Sequence, residues 1–353
     1  MGGAHAVVVI PSASHSVRFT PVKLGFYMGY APPGMNPLEL LELAREAEQL
    51  GYDSAWTAEA WGVDAITPLA WLGAQTERIK LGTAIMQIPG RSPANAAMTA
   101  VTLDLLSGGR FLMGLGTSGP QVVEGWHGQE WGKPVAKTRE YVEIVRAIVR
   151  RERLEHHGEH YDIPVQGGTG LGKPLKLLAR PLRSEIPIYL AAIGPKAVEQ
   201  TFEIADGWLP IFWSPEKARA VFPLDRAREG FEIAPSVPAL LTDDVESGRN
   251  MLKEYYSFYI GGMGSRGKNF YNDLFTRYGY EAEAREIQDL FLEGHQREAA
   301  GKVPDAFVDE VALVGSVERI RDRLAAWRES GVTTLLVSTR DSATLRAVAE
   351  AAS

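Results

Sequence analysis

Residues 79–115 read IKLGTAIMQIPGRSPANAAMTAVTLDLLSGGRFLMGL and contain the repeating unit that decides the fold. The apolar run Ile79–Met86 is typical of a strand. Ser92 and the proline after it suit the cap and the first position of a helix. Its apolar residues at helical spacing, expected on one face, are Ala94, Ala97, Met98, Val101 and Leu105. Gly108 ends this helix, and a second apolar run, Phe111–Leu115, follows. The stretch therefore predicts one strand–helix–strand step of a parallel sheet.

The same step recurs along the chain. The first four apolar runs begin near residues 23, 53, 79 and 110, and these intervals match the length of one such step. The eight predicted strands are Lys23–Tyr30, Ser54–Thr57, Ile79–Met86, Phe111–Leu115, Ile186–Ala191, Ala205–Leu209, Ile233–Leu241 and Val332–Ser338. Helical patterns between them predict an α/β fold, a closed (β/α)8 TIM barrel. An open doubly wound sheet is the alternative.

Two intervals are longer than one step. Residues 116–185 and 242–331 must each hold a helix and inserted material, after the fourth and seventh strands. In such barrels, insertions after a strand fall on the face that carries the site. No linker rich in Pro, Gly or Ser separates a second domain. We therefore predict a flexible extension over residues 1–20 and a single domain over residues 21–353.

Composition excludes several classes of function. The net charge is −7, from 37 Lys and Arg against 44 Asp and Glu, and no basic run offsets it, so a nucleic-acid partner is not expected. The absence of cysteine excludes disulfides, Cys-based metal sites and a thiol nucleophile. The apolar run Ala6–Ile10 is far shorter than the ~20 residues of a membrane span. We expect a cytoplasmic protein without a membrane partner. His156, His157 and His160 lie among charges and are interpreted as a solvated turn, not a metal site.

Polar residues and glycines follow four of the predicted strands. Glu59 follows the second strand, Gln87 the third and Thr117-Ser118 the fourth, and the carboxyl ends of parallel strands open to ligands. After the fifth strand, Gly194-Pro195-Lys196 begins a helix whose free N–H groups favour an anion such as a phosphate. An ordinary helix start with a surface lysine is an equal alternative for that turn.

Aromatic residues near strand ends indicate a bulky apolar ligand, although packing explains them equally well. They are Trp56, Trp61, Trp126, Trp131, Phe212 and Trp213. His127, a single histidine in a loop, is interpreted as structural rather than catalytic. No hydrolase motif is present in the sequence, so hydrolysis has no visible apparatus.

Several segments in one order resemble the bacterial luciferase-like superfamily, and within it the branch that uses the deazaflavin coenzyme F420. They are LGFYMGY, SAWTAEAWGVDAITPLAWLGA, RIKLGTAIMQIPGRSPANAAM, GRFLMGLGTSGPQVVEGWHG and PIYLAAIGPKAVEQTFEIADGW. The later segment YIGGMGSRGKNFYNDLFTRYGYE is similar to the methylene-tetrahydromethanopterin-reductase-like group of this branch. The resemblance runs from about residue 22 to the C-terminus. It implies an eight-stranded barrel with an isoalloxazine-like ring at the carboxyl end.

The resemblance also implies site residues. The ring rests against a bulge at Ala84-Ile85, where a non-proline cis peptide is expected, and Glu59 holds the acidic position of the catalytic site. Thr117 and Ser118 line the ring and ribityl side, and the start of the fifth helix binds the phosphate. The cofactor-binding candidates are Glu59, Ala84, Ile85, Gln87, Thr117, Ser118, Ile193, Gly194, Lys196 and Ala197.

The match departs from the sugar-phosphate dehydrogenases of this branch at two positions. Their histidine after the acidic residue is Ala60 here, and their glutamate is Gly119. Oxidation of a sugar phosphate is therefore not expected, and the direction of hydride transfer stays open. The resemblance implies hydride transfer between F420 and a small organic substrate, without a metal. The alternatives are a monooxygenase that uses flavin mononucleotide (FMN) and a deazaflavin- or flavin-binding protein without catalysis.

Two further expectations concern the surroundings of the site. Arg266, Lys268 and Asn269 in the late insertion could form a lid that contacts an anionic cofactor or substrate, and a solvated loop is the alternative. We also expect the chain to form a homodimer.

Overall fold

The structure is a computed structural model that describes residues 22–29 and 36–353. The predicted extension, residues 1–20, and Tyr30 lie outside these residues. The strands are β1 (Lys23–Gly29), β2 (Ser54–Thr57), β3 (Lys80–Thr83), β4 (Met86–Gln87), β5 (Phe111–Gly116), β6 (His156–His157), β7 (Asp162–Ile163), β8 (Ile188–Leu190), β9 (Gly207–Trp208), β10 (Glu232–Ile233), β11 (Ser236–Leu241), β12 (Leu313–Gly315) and β13 (Thr334–Ser338).

The α-helices lie between these strands, singly or in runs. They are α1 (Pro37–Gln49), α2 (Ile66–Gly73), α3 (Pro93–Leu106), α4 (Pro120–Gly125), α5 (Pro134–Val149), α6 (Pro195–Ile204), α7 (Ala218–Val221), α8 (Val245–Ser257), α9 (Phe270–Arg277), α10 (Glu281–Leu292), α11 (Gln296–Gly301), α12 (Asp305–Val311), α13 (Val317–Glu329) and α14 (Ser342–Ala352). None of the helices in the described ranges is long and apolar enough to cross a membrane.

The parallel strands form a barrel in chain order. The pairing runs from β9 through β8, β5, β3, β2 and β1 to β13, and every pair is parallel. β10 pairs with β9, and β11, which follows it directly, pairs with β13. This run therefore joins the two ends of the curled sheet. The predicted TIM barrel is confirmed, and its insertions lie after the fourth and seventh barrel strands.

Two of the predicted strands are each split in two. The third divides into β3 and β4 at Ala84-Ile85, and β4 pairs with the end of β5. The seventh divides into β10 and β11 at Ala234-Pro235, because proline lacks the N–H that a central strand donates. The other predicted strands keep the ends given above to within two residues.

Helix α3 has apolar residues on its outer face as well as its inner face. Ser92 caps it by accepting a hydrogen bond from the Asn95 N–H, as the sequence predicts. Met98 and Leu105 are 55% and 39% exposed, so the apolar face that the spacing predicts is not the buried face of the helix. The inward positions are filled by Ala96, Ala97, Ala100, Val101 and Leu103, because small side chains let the helix lie close to the sheet.

A polar network covers the amino end of the barrel interior, and the interior is apolar from there toward the carboxyl ends of the strands. Lys23 and Glu232 begin two strands and form an ion pair of 2.5 Å, and the Tyr189 hydroxyl donates to Glu232 at 2.8 Å. Above this network lies the interior cluster, made of Trp56, Leu112, Tyr189, Leu209, Ala234 and Leu336. The half-buried Tyr27, Ala84 and Ile85 pack against that cluster. Among the residues that the structure describes, this network covers the amino end of the barrel and leaves the carboxyl end of the strands for a ligand.

The two insertions meet at that carboxyl end. Phe270 of α9 lies 6.4 Å from Trp131, ring centroid to centroid, and Trp131 belongs to the insertion after β5. Arg277, at the end of α9, donates from Nη2 to the Ile193 carbonyl at 2.8 Å, in the loop after β8. The late insertion thus contacts two of the loops in which the sequence predicts the site.

Candidate active site

Gln87 lies at the centre of the contacts between the carboxyl-end loops. Its side chain is buried, and Nε2 donates to the carbonyls of Glu59 at 3.1 Å and Ala60 at 3.0 Å. Oε1 lies 2.5 Å from Nε2 of His127, and Nε2 of Gln87 lies 3.5 Å from the Ser118 hydroxyl. One amide therefore connects the loops after β2, β4 and β5 and the turn after α4.

The Glu59 carboxylate accepts hydrogen bonds on both oxygens. The Gln87 N–H donates to Oε1 at 2.8 Å, and the Ala65 N–H donates to Oε2 at 3.0 Å. Both terminal nitrogens of Arg91 also donate to it, one to each oxygen. A guanidinium–carboxylate pair with two parallel hydrogen bonds is among the stronger polar contacts in proteins. Glu59 therefore holds the backbone around the bulge as an acceptor.

Sequence reasoning did not identify Arg91 as the partner of Glu59. The residue stands between the bulge and the Ser92 cap, in the quoted segment RIKLGTAIMQIPGRSPANAAM. Its side chain is 19% exposed and that of Glu59 is 9% exposed. The available signal was that Arg91 and Glu59 each follow a predicted strand that ends at the same edge of the sheet. The two residues are 32 positions apart in the sequence, so no local pattern relates them.

The bulge at Ala84-Ile85 has a cis peptide bond, as the resemblance predicts. The Tyr27 hydroxyl donates to the Ala84 carbonyl at 3.2 Å, and the Glu59 N–H donates to the Ile85 carbonyl at 3.1 Å. A Cβ at Gly116 would lie 2.9 Å from Ile85 Cδ1, so glycine alone leaves room for the Ile85 side chain there. The bulge is thus fixed from three sides on top of the interior cluster.

The loop after β5 has an uncommon backbone conformation. Ser118 has a φ of 62°, in the left-handed region that few residues other than glycine adopt. Thr117, Ser118 and Gly119 are all partly exposed, and Gly119 precedes α4 without a side-chain cap. Thr117 and Ser118 are therefore accessible beside Gln87, where the sequence predicts the ring.

The start of α6 offers hydrogen-bond donors to a ligand. Gly194 occupies the N-cap position, where no side chain caps the helix, and Pro195 follows it. The N–H groups of the first helical turn have no partner within the helix. A Cβ at Gly194 would meet nothing within 4 Å, and Lys196 is exposed. Ile193 and Ala197 are half-buried beside this turn, and the phosphate site stays a prediction.

Arg277 is a second cation at this turn, and sequence reasoning missed it. Besides the bond to the Ile193 carbonyl, its Nε is buried and has no hydrogen-bond partner among the residues described. Burial lowers the pKa of Arg277, but not enough to remove its charge. Its presence in the segment YIGGMGSRGKNFYNDLFTRYGYE was the only signal in the sequence.

Two of the predicted lid residues, Arg266 and Asn269, contact other residues of the insertion itself. Arg266 forms an ion pair with Asp289 at 2.8 Å. The Asn269 side chain caps α9 and donates to the Tyr259 and Ile260 carbonyls. The contacts of the insertion with the site loops come instead from Phe270 and Arg277.

Three histidines that the sequence groups together belong to a hairpin. His156 contacts Glu140, and His157 contacts Asp162. Across the described ranges, no group of three His, Cys, Asp or Glu residues has the arrangement of a metal site. Of the aromatic residues singled out, Trp56, Phe212 and Trp213 are buried in packing, whereas Trp61 and Trp126 are 53% and 65% exposed.

A flavin-like cofactor fits this end of the barrel. The interior cluster and the bulge provide an apolar floor for an aromatic ring. The uncapped start of α6 and the unpaired Nε of Arg277 provide donors and positive charge for a phosphate. Fold and site together define a TIM-barrel protein with a ligand site at the carboxyl ends of its strands.

Comparison with known proteins agrees with this class. Residues 17–334 match the model of the luciferase-like monooxygenase family, and the chain belongs to that family of enzymes. A Mycobacterium tuberculosis protein named as a coenzyme F420-dependent oxidoreductase is 46% identical over 90% of this chain and 95% of its own length. The 5,10-methylenetetrahydromethanopterin reductase of Archaeoglobus fulgidus is 27% identical over 85% of this chain and 89% of its own length.

A solved structure has the same fold. The F420-dependent tetrahydromethanopterin reductase from Methanopyrus kandleri superposes with a TM-score of 0.76 at 21% identity, over 94% of this chain and 98% of that one. This likeness shows the fold, and the two relatives named above confirm the resemblance to the F420 branch of the family.

Proposed function

We propose that the protein is an F420-dependent oxidoreductase that transfers a hydride between the deazaflavin and a small organic molecule. The observation that carries this proposal is the bulge at Ala84-Ile85, held by Glu59 and Gln87 above the apolar interior cluster. Such a surface supports one face of a flat ring and leaves the other face to a substrate. The names of the relatives favour F420 over FMN as that ring.

The chain's own residues bind and orient. Ala84 and Ile85 support the ring, and Thr117 and Ser118 lie along its edge and its ribityl chain. The first turn of α6, with Lys196 and Arg277, binds the phosphate. When bound, the deazaflavin supplies the carbon that gives or takes the hydride. Reacting atoms held in the right geometry account for much of the rate enhancement of such reactions.

The substrate binds above the ring, between the loops that meet there. Trp61 follows Ala60, and Trp126 precedes His127, so both lie one residue from a contact of the Gln87 side chain. Both indoles are exposed and offer apolar area to a bulky organic substrate. The insertion that contains Phe270 and Arg277 covers the neighbouring loops and reduces the access of water.

The experiment compares the two cofactors directly. F420 and FMN are titrated into the protein at the same ionic strength and followed by fluorescence. Reduced F420 is then mixed with a panel of ketones, aldehydes and imines, and its oxidation is followed by absorbance. We expect tighter binding of F420 and oxidation by at least one acceptor without oxygen uptake. Tighter FMN binding with oxygen uptake would establish the monooxygenase alternative. F420 binding without oxidation by any acceptor would favour a binding protein.

A homodimer is part of the proposal. Trp71 of α2 and Met98 and Leu106 of α3 are 58%, 55% and 74% exposed. These two helices are neighbours on the outside of the barrel. Large exposed apolar side chains on neighbouring helices favour a contact surface, and a second copy of the chain is the partner that is always present. The absence of cysteine is consistent with a cytoplasmic location for this dimer.

A further inference from the structure

The contact between His127 and Gln87 determines which ring nitrogen of His127 carries a hydrogen. The Gln87 side-chain nitrogen faces two backbone carbonyls, those of Glu59 and Ala60, which only accept hydrogen bonds. The amide oxygen of Gln87 therefore points the other way, toward His127 Nε2 at 2.5 Å. Because an amide oxygen cannot donate, the hydrogen of this contact belongs to His127 Nε2.

The second ring nitrogen of His127 is left for other use. No described residue forms a hydrogen bond with Nδ1, and the side chain is partly exposed. With Nε2 protonated, Nδ1 is an acceptor in the neutral ring and a donor in the imidazolium. An imidazole with one nitrogen held in this way can give and take a proton at the other nitrogen.

His127 also lies close to the predicted ring site. A Cβ placed on Gly90 would be 3.5 Å from His127 Cε1 and 3.8 Å from Glu59 Oε1, so the imidazole and the carboxylate flank the same glycine. The charged groups that face this region are Glu59 and Arg91, which are paired with each other. Gln87, which holds the imidazole, follows the bulge after a single residue.

We propose that His127 exchanges the proton that accompanies hydride transfer, through Nδ1, and that Gln87 is the positioning residue that keeps its hydrogen on Nε2. This rests on the proposed function. It provides a proton-handling group in a site where Ala60 and Gly119 stand at the positions of the family's histidine and glutamate. The substrate class is an organic compound with a carbon–heteroatom double bond, or the alcohol or amine that corresponds to it.

The step balances as follows. As a hydride reaches the carbon of a C=O or C=N group, the π-electron pair moves to the heteroatom. The heteroatom takes the Nδ1 proton of the His127 imidazolium. The neutral ring keeps its hydrogen on Nε2, where it donates to the Gln87 side-chain oxygen. Water then returns the proton to Nδ1. In the oxidative direction, neutral Nδ1 takes the hydroxyl or amine proton as the hydride leaves the carbon.

The first part of the test does not depend on turnover. Fluorescence titration shows whether the wild-type protein binds F420, and a failure here refutes the proposed function instead of the role of His127. With binding established, 15N-labelled histidine reports the tautomer of each ring by NMR, and His127→Gln assigns the signal. We expect the Nε2–H tautomer for neutral His127, and a shift of its signals when F420 saturates the protein. The Nδ1–H tautomer, or signals that do not respond to F420, would overturn the proposal.

The second part uses variants and any acceptor that oxidises the reduced cofactor. His127→Gln should lower kcat by about 10²–10⁴-fold while the Kd for F420 and the substrate KM stay unchanged. Gln87→Leu should abolish the single tautomer of His127 and lower kcat less than His127→Gln does. His295→Gln is the matched control, because His295 is exposed and its Nδ1 lies 3.2 Å from Glu298 in the insertion, outside the candidate site. A kcat of His127→Gln equal to that of the control would overturn the proposal.

Discussion

Replacing Arg91 with methionine removes the charge that faces Glu59 but keeps most of the side-chain volume. Hydrogen bonds to charged groups contribute about 1.5–3 kcal/mol each, and breaking a buried pair by removing one partner costs about 3–5 kcal/mol. Two backbone N–H groups still donate to Glu59, and Arg91 is 19% exposed. We therefore expect the free energy of unfolding to fall by about 2–4 kcal/mol.

The assay is urea unfolding followed by tryptophan fluorescence and circular dichroism. Arg285→Met is the matched control, because its ion pair with Glu281 lies on the surface with both side chains more than 70% exposed. Exposed pairs of this kind contribute at most about 1 kcal/mol. The affinity for F420 should fall in Arg91→Met and not in the control, since Glu59 no longer holds the Gln87 backbone beside the bulge in one position.

A double-variant cycle with Glu59→Leu completes this prediction. Removing both partners leaves no unpaired buried charge, so the double variant should be less destabilised than the sum of the single variants, with a coupling of about 0.5–3 kcal/mol. Strictly additive losses would refute the assignment of Glu59 as a partner of Arg91. So would an Arg91→Met protein as stable as wild type.

Three further outcomes are expected. Lys196→Ala should raise the Kd for F420 without changing the free energy of unfolding. Arg277→Met should raise the Kd more, because that guanidinium is partly buried at the same turn. A Kd equal to that of the wild type in a fluorescence titration would contradict the prediction for either variant. Burial alone raises the pKa of Glu232, but hydrogen bonds from Lys23 and Tyr189 outweigh burial and lower this pKa. The stabilisation that comes from ionised Glu232 is therefore present at neutral pH and is lost as the pH falls below about 4. Glu232→Gln should flatten the acid limb of a plot of unfolding free energy against pH, and an unchanged limb would contradict the assignment. Trp71→Glu should convert the dimer to a monomer in light scattering, while a wild-type protein that is already monomeric would refute the dimer.

Local signals predicted the elements and their order. The Ser92 cap, the helix end at Gly108 and the helix start at Gly194-Pro195 each depend on a few neighbouring residues, and the structure has all three. The alternation of apolar runs with helical patterns was enough to predict a closed barrel. These features need no information about distant contacts.

The parts that sequence reasoning missed depend on contacts between distant residues. Arg91 pairs with Glu59 only because the ends of β2 and β4 are neighbours. Arg277 reaches Ile193 across 84 positions, and no local pattern relates an insertion helix to a strand-end loop. The outward position of Met98 was missed because α3 is apolar all round, so its inner face could not be chosen from periodicity.

The pairing of β1 with β13 has a consequence for synthesis. Residues 23–26 bond to residues 334–337, so β1 completes its hydrogen bonding only after β13, more than 300 positions later, has left the ribosome. Until then, one edge of β1 presents unpaired N–H and C=O groups, which is the arrangement that recruits strands from other chains. Contacts between residues so far apart in the chain also slow folding. The nascent chain therefore passes through a long period in which this edge can pair with strands of other chains, and slower translation of its last third would lengthen that period.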